Sequence, residues 1–196
     1  VDSDDAQETV DASQSEPEMP DIEVVLPEQK PQAPAPEEVK PKKEVPKERL
    51  RFMSFGSGSS GNCAYLGTEK GGILIDAGVD NEHVFESLRK NGIGPEMVKG
   101  IVLTHDHGDH VRFAYTIVRK YKHIRIYCTP RLLNGMLRRH NVSRRIKEYH
   151  ENAFKEIPFK IAHFVITAFD AAHDGTDNMG FMIEVGDEKF VVATDM

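Results

Sequence analysis

The chain has 196 residues and a formal net charge of −7, a length suited to one domain or to one domain with an appendage. No stretch approaches the roughly 18 consecutive apolar residues of a membrane-spanning helix, and no basic segment followed by an apolar run resembles a signal peptide, so a soluble, cytoplasmic protein is expected. Cys63 and Cys128 are the 2 cysteines, too few for a disulfide framework and not spaced as a paired metal motif, and both are expected as reduced thiols.

The first 48 residues hold 8 of the 11 prolines, 14 Asp/Glu against 5 Lys, and no aromatic residue. Such a composition cannot bury a core. Residues 1–48 therefore read as a disordered acidic, proline-rich tail or linker whose partner the sequence does not name, and residues 49–196 as the folded part. The folded part carries 20 Lys/Arg against 18 Asp/Glu, so the acidity of the chain belongs to the tail. A start at Val1 and a stop at Met196, directly after an apolar run, lead us to expect a piece of a longer protein.

From Leu50 onward, short apolar runs alternate with glycine turns, predicting strands over Leu50–Phe55, Asn62–Leu66 and Gly72–Ala77. Val84, Phe85 and Leu88 form a helical stripe that ends at Asn91-Gly92. A buried strand is expected over Gly100–Thr104. Phe113, Ile117, Val118 and Tyr121 recur at helical spacing, Ile124–Cys128 reads as a strand, and Pro130 opens a short helix. Val165–Phe169, Gly180–Val185 and Lys189–Thr194 read as strands, with Gly186-Asp187 turning between the last two. Alternation of strands and helices points to a layered α/β fold with a mixed sheet.

The chemistry concentrates in Thr104-His105-Asp106-His107-Gly108-Asp109-His110, which places five candidate metal ligands within six residues at the end of an apolar strand. On an extended segment His105 and His107 project the same way, so both imidazoles can reach one ion. Gly108 permits a turn, and Asp109 and His110, opening the next helix, can serve a second ion about 3.5–4 Å away. Asp106 alternates away from the two histidines and reads as a loop residue or an outer partner. His163, inside an apolar run, reads as a packed core or strand residue, and His83, His123, His140 and His150 as surface or structural.

This motif, with Ile73-Leu74-Ile75-Asp76-Ala77-Gly78 and Ile101-Val102-Leu103-Thr104, resembles the metallo-β-lactamase superfamily over roughly residues 50–196. The opening Ser54-Phe55-Gly56-Ser57-Gly58-Ser59-Ser60-Gly61-Asn62-Cys63 is similar to its WalJ/YycJ-type subgroup. The resemblance implies an αββα sandwich, here truncated in its C-terminal part, and a DNA exonuclease or phosphodiesterase activity. It implies that His105, His107 and His173 hold one ion, that Asp109 and His110 hold a second and serve catalysis, and that Asp195 bridges the two. It also implies a further C-terminal histidine beyond Met196, so the piece itself is open to being inactive. Asp76, at the end of a buried strand, becomes an outer partner that orients a ligand or the backbone. The Gly/Ser run from Gly56 to Gly61 reads as a tight turn, with a phosphate cradle as the alternative.

Two divalent ions, zinc by default with manganese and iron open, would lower the pKa of a bridging water to about 7, far below that of bulk water, and supply hydroxide for attack. Residues 111–147 contain 11 Lys/Arg and no Asp or Glu. Among them Arg112, Arg119, Lys120, Arg138, Arg139, Arg144 and Arg145 are candidate contacts to a phosphodiester backbone. DNA is thus the expected substrate. Two alternatives stay open: hydrolysis of a small molecule such as a cyclic phosphodiester, thioester or lactam, and a non-catalytic, metal-stabilised nucleic-acid-binding fragment.

Overall fold

In the computed structural model, which describes residues 49–195, the apolar runs become two sheets. The expected tail, residues 1–48, lies outside the described residues. Strands β1 (Arg51–Gly56), β2 (Cys63–Thr68), β3 (Gly71–Ile75), β4 (Val98–Val102), β5 (Arg125–Cys128) and β6 (His150–Asn152) form the first sheet in that order. Its first three strands are antiparallel and β3 to β6 are parallel. Parallel neighbours need a crossover. Helix α1 (Asn81–Lys90) lies between β3 and β4, α2 (Gly108–Val111) and α3 (Ala114–Lys120) between β4 and β5, and α4 (Pro130–Arg139) between β5 and β6. Strand β3 is buried along its whole length, as expected of a strand covered on both faces, which is why it reads as a continuous apolar run.

The second sheet is antiparallel throughout. Its strands are β7 (Phe159–Ile161), β8 (Phe164–Asp170), β9 (Met179–Val185) and β10 (Glu188–Val192), arranged β10-β9-β8-β7. The sheets face each other: Phe52 stacks on Phe190 with centroids 5.2 Å apart, and Tyr127 on Phe159 at 5.6 Å. One core runs through both sheets and the helices. It includes Leu74, Ile101 and Ile126, Phe164, Phe181 and Ile183, and Val84, Leu88, Ile117 and Met136, each side chain contributing roughly 1.5–3 kcal/mol by its burial. No helix among the described residues is long and apolar enough to cross a membrane.

Several expectations change. β6 and β7, three residues each, are too short to show a period and were not anticipated. The helix opened by Pro130 is ten residues long rather than short; Thr129 caps it by accepting a bond from Leu132 N at 3.1 Å. His163 is neither core nor strand. It is half-buried in the turn between β7 and β8, where its Nε2 lies 2.8 Å from Thr68 Oγ1 and ties the second sheet to the first.

Gly135 sits inside α4, a place that normally favours alanine by about 1 kcal/mol. Here a Cβ would run into the Asp106 carboxylate and come within 2.5 Å of Thr176 Oγ1. Gly135→Ala is therefore expected to destabilise by about 1–3 kcal/mol, lowering Tm by roughly 2–4 °C for each kcal/mol. A rise in Tm on thermal denaturation would contradict this packing.

Candidate metal centre

Topology brings the chemistry to one edge. Because β3, β4 and β5 are parallel, their C-terminal ends emerge together, presenting Asp76, the segment Thr104–His110, and Thr129. In the second sheet β8 and β10 both run antiparallel to β9 and so share a direction, which delivers His173 and Asp195 to neighbouring loops. Met179 N donates to Thr104 O at 2.8 Å and joins the two edges.

Two clusters of donor atoms result. The side chains of His105, His107 and His173 bring ring nitrogens within 4.8 Å of one another, and so do His105, His110 and Asp195 with their ring nitrogens and a carboxylate oxygen. His107 Nδ1 and His173 Nε2 stand 3.2 Å apart. A single oxygen, Asp195 Oδ2, lies 3.1 Å from His110 Nε2, 3.5 Å from His105 Nε2 and 3.8 Å from His173 Nε2. Asp195 adopts φ 51°, a strained conformation for a non-glycine residue of the sort concentrated at functional sites.

A metal ion suits these residues on their own chemistry. His105 Nε2 is buried and has no hydrogen-bond partner, a costly state for a polar atom unless something else occupies its lone pair. Burial, reinforced by His110, His107 and His173, pulls the His105 pKa down to about 4, so the ring is neutral at pH 7 and available as a ligand. The donors are imidazole and carboxylate with no thiolate; Cys63 and Cys128 are both free and buried, and their thiol pKa values are pushed up by burial.

The orientations of the candidate ligands are fixed from behind. Thr104 N and Oγ1 donate to Asp76 Oδ1 at 2.8 and 3.0 Å, and Asp76 Oδ2 lies 2.8 Å from His110 Nδ1. A proton on His110 Nδ1 then leaves Nε2 facing the cluster. Thr104 Oγ1 also lies 3.0 Å from His105 Nδ1, which orients that ring in the same sense. Burial disfavours a protonated His110, but Asp76, Asp195 and Asp109 together raise its pKa above the ordinary value. Burial raises the Asp76 carboxyl, against the bonds from His110 and Thr104. Asp76→Asn is expected to weaken metal binding roughly 10–100-fold, as for other outer partners of ligand histidines; competition with a chelator measures it, and unchanged affinity would remove Asp76 from this role.

Asp106 serves the other side. Its carboxylate, fully buried, accepts from Thr176 N at 3.0 Å and Thr176 Oγ1 at 2.5 Å. Burial would raise its pKa, but these bonds and Arg139 hold it below the ordinary range. The loop carrying His173 is thereby tied to the histidine motif, and Asn178 Nδ2 donates to His173 O at 2.7 Å within it. His140 Nε2, 2.6 Å from Asp106 O, holds the motif's backbone.

The family model described as "Metallo-beta-lactamase superfamily" matches residues 56–196. The chain belongs to the metallo-beta-lactamase superfamily. It is 26% identical to exodeoxyribonuclease YycJ of Bacillus anthracis and 27% identical to exodeoxyribonuclease WalJ of Streptococcus pneumoniae, each over 147 residues, 74% of this chain and 54% of the relative. The chain thus spans about half the length of these curated relatives. Among solved structures it is similar to a subclass B3 metallo-beta-lactamase with an active-site glutamic acid, with a TM-score of 0.59 and 18% identity over 72% of this chain and 59% of that one. The metallo-beta-lactamase fold protein YhfI of Bacillus subtilis gives 0.54 and 16% over 74% and 61%. Both likenesses concern the αββα fold of the superfamily.

Within this superfamily frame, Asp109 stands at the margin of the clusters, its Oδ2 3.7 Å from His110 Nε2. Asn62, which the sequence did not single out, closes that margin: its Nδ2 lies 3.1 Å from Asp109 Oδ2 and 2.9 Å from His110 Nε2. The same side chain closes the Gly/Ser run, accepting from Gly58 N at 2.9 Å and donating to Gly58 O at 2.9 Å. That run is a turn, and its Gly58 and Gly61 N–H groups are already bonded within it. Thr104, Thr176 and Asp174, whose Oδ1 is 3.3 Å from His107 Nε2, are likewise additions made by the structure.

The basic residues divide. Arg112, Arg119, Lys120, Arg138, Arg139, Arg144 and Arg145 are all exposed. Arg139 Nε approaches Asp106 Oδ2 at 3.5 Å, and Arg145 pairs with Glu148 at 3.1 Å. Arg119 lies over the Tyr115 ring and Lys120 over Tyr121. Arg112, Arg138 and Arg144 have no acidic partner among the described residues.

Proposed function

We propose that the protein is a metal-dependent phosphodiesterase of exonuclease type acting on DNA. In this reading His105, His107 and His173 hold one divalent ion, Asp109 and His110 hold a second, and the Asp195 carboxylate is shared, with zinc as the default metal and manganese or iron compatible with the donors. The observation that carries it is the approach of one Asp195 oxygen to His105, His110 and His173 together. Support for DNA comes from the exposed arginines in the segment that follows the histidine motif and from similarity to relatives named as exodeoxyribonucleases.

When bound, such ions supply an acidified water and Lewis-acid stabilisation of the charge that develops on phosphate oxygens. The chain's own residues prepare the site. Asp76 and Thr104 set the tautomers of His110 and His105, Asp106 and Thr176 hold the His173 loop, and Asn62 restrains Asp109. Arg112, Arg138 and Arg144 would draw the phosphodiester backbone to the edge by charge, giving affinity that falls with salt and little sequence preference.

The test uses the full-length protein on 5′-labelled DNA and on bis(p-nitrophenyl) phosphate, beside its Asp109→Ala variant. Shortening of the DNA, lost in the variant, is the expected result. Cleavage of the small ester with DNA left intact would replace this reading by that of a small-molecule hydrolase, and turnover of neither substrate would end both.

A further inference from the structure

A cleft of about 250 Å³ opens beside the candidate metal ligands, none of which lines it. It is bounded by the Gly/Ser turn, the loop after β3, and the junction of α2 and α3. Half-buried Phe55, Val79 and Phe113 supply its apolar lining, and exposed Ser60, Asp80 and Arg112 line it as well. Its volume falls below the roughly 300–1,000 Å³ of drug-sized ligand sites, so it suits a single base with its phosphate at the opening rather than a length of strand.

Its position relative to the centre is fixed by backbone contacts. Gly78, which lines the cleft, packs so closely on Asp109 O that no Cβ fits between them. Asn62 N donates to the same carbonyl at 2.7 Å. Arg112 follows Asp109 by three residues, a little under one helical turn or roughly 4.5 Å along the axis, and its N–H bonds to Gly108 O at 3.0 Å. The guanidinium is exposed and has no acidic partner among the described residues, whereas Asp80, which also lines the cleft, is engaged at the start of α1, accepting from Glu82 N and His83 N at 3.0 and 3.2 Å.

An apolar wall carrying two aromatic rings, one uncommitted guanidinium, and a shared backbone with Asp109 describe a receptor for an aromatic base joined to a phosphate. Bases stack on aromatic side chains with little regard to sequence, and arginine pairs with phosphate through parallel N–H donors. We infer that this cleft receives the terminal nucleotide of the DNA substrate, its base against Phe55 and Phe113 and its phosphate on Arg112, and so makes the enzyme act from an end. The inference rests on the proposed DNA hydrolysis for the name of the ligand, and on the cleft for its place.

2-Aminopurine is excited at wavelengths that protein side chains do not absorb, so its fluorescence reports base stacking against a clear background. The full-length protein is titrated with 2-aminopurine deoxyriboside 5′-monophosphate and, separately, with the 3′-monophosphate. Saturable quenching by one of them is expected, and which one it is assigns the end. Arg112→Ala should weaken that binding roughly tenfold, and Ser60→Phe, which fills the cleft from an exposed position, should abolish it, with Tm of both variants close to the parent. Absence of quenching with both nucleotides, or quenching that neither variant alters, overturns the inference. Nucleotide binding in a protein that leaves DNA intact would sink the hydrolase reading and leave the cleft standing; DNA cleavage without nucleotide binding would do the reverse.

Discussion

Under the proposed function, a His105→Ala variant of the full-length protein is expected to lose its metal and, with it, the proposed DNA hydrolysis. His105 belongs to both donor clusters, so its removal takes a ligand from one ion and opens the wall shared with the other. Metal content should fall from about two ions per chain to below about one, and the rate by more than the roughly 10–100-fold that follows loss of an outer partner. Removing the ring also removes an unpartnered buried nitrogen, so the metal-free variant should be no less stable than metal-free parent protein by more than the lost packing. Elemental analysis beside thermal denaturation separates the two effects. A variant that keeps its full metal content would mean that the orphaned nitrogen does not face an ion.

Gly78→Ala should be the most damaging single substitution outside the ligands. A Cβ at Gly78 would overlap the Asp109 carbonyl oxygen and stand 2.9 Å from Asn62 N, both main-chain atoms that no rotamer change can move. Four hydrogen bonds knit the same region: Asn62 N to Asp109 O at 2.7 Å, Gly78 N to Asn62 O at 2.9 Å, Ala77 N to His110 O at 2.7 Å, and Phe113 N to Ala77 O at 2.8 Å. Relief of the overlap must displace Asp109 and His110. We expect a cost of about 3 kcal/mol or more, a fall in Tm of roughly 6–12 °C, and weakened metal retention together. A stable variant with normal metal content would show that the strand-end loop and the helix α2 are not in contact.

How much of this was legible in the sequence depends on how local each signal is. His105, His107, Asp109 and His110 fall within six consecutive residues, and their spacing alone argued for shared ligation. His173 and Asp195 carry no local signature; the superfamily resemblance suggested them, and parallel exits of β8 and β10 account for their arrival. Thr104, Asn62 and Thr176 were invisible because their partners lie far along the chain: Asp76 is 28 residues from Thr104, His110 is 48 from Asn62, and Asp106 is 70 from Thr176. Common polar residues of this type gain meaning only from the neighbour that folding supplies. The basic segment showed its charge but not its pairing, so Arg139 and Arg145 read as free where Asp106 and Glu148 engage them. The long apolar strands were evident from composition, while β6 and β7 take their pairing from neighbours and left no pattern of their own. His163 was read as a packed core or strand residue because its neighbours are apolar, but it stands in the turn between β7 and β8.

The most direct test of the metal centre is an anomalous difference map from crystals of the full-length protein grown with zinc and measured at the zinc edge. The account predicts two peaks about 3.5–4 Å apart, one against His105, His107 and His173, the other against Asp109 and His110, with Asp195 between them. No peak at these residues, or a peak on other side chains, would contradict it.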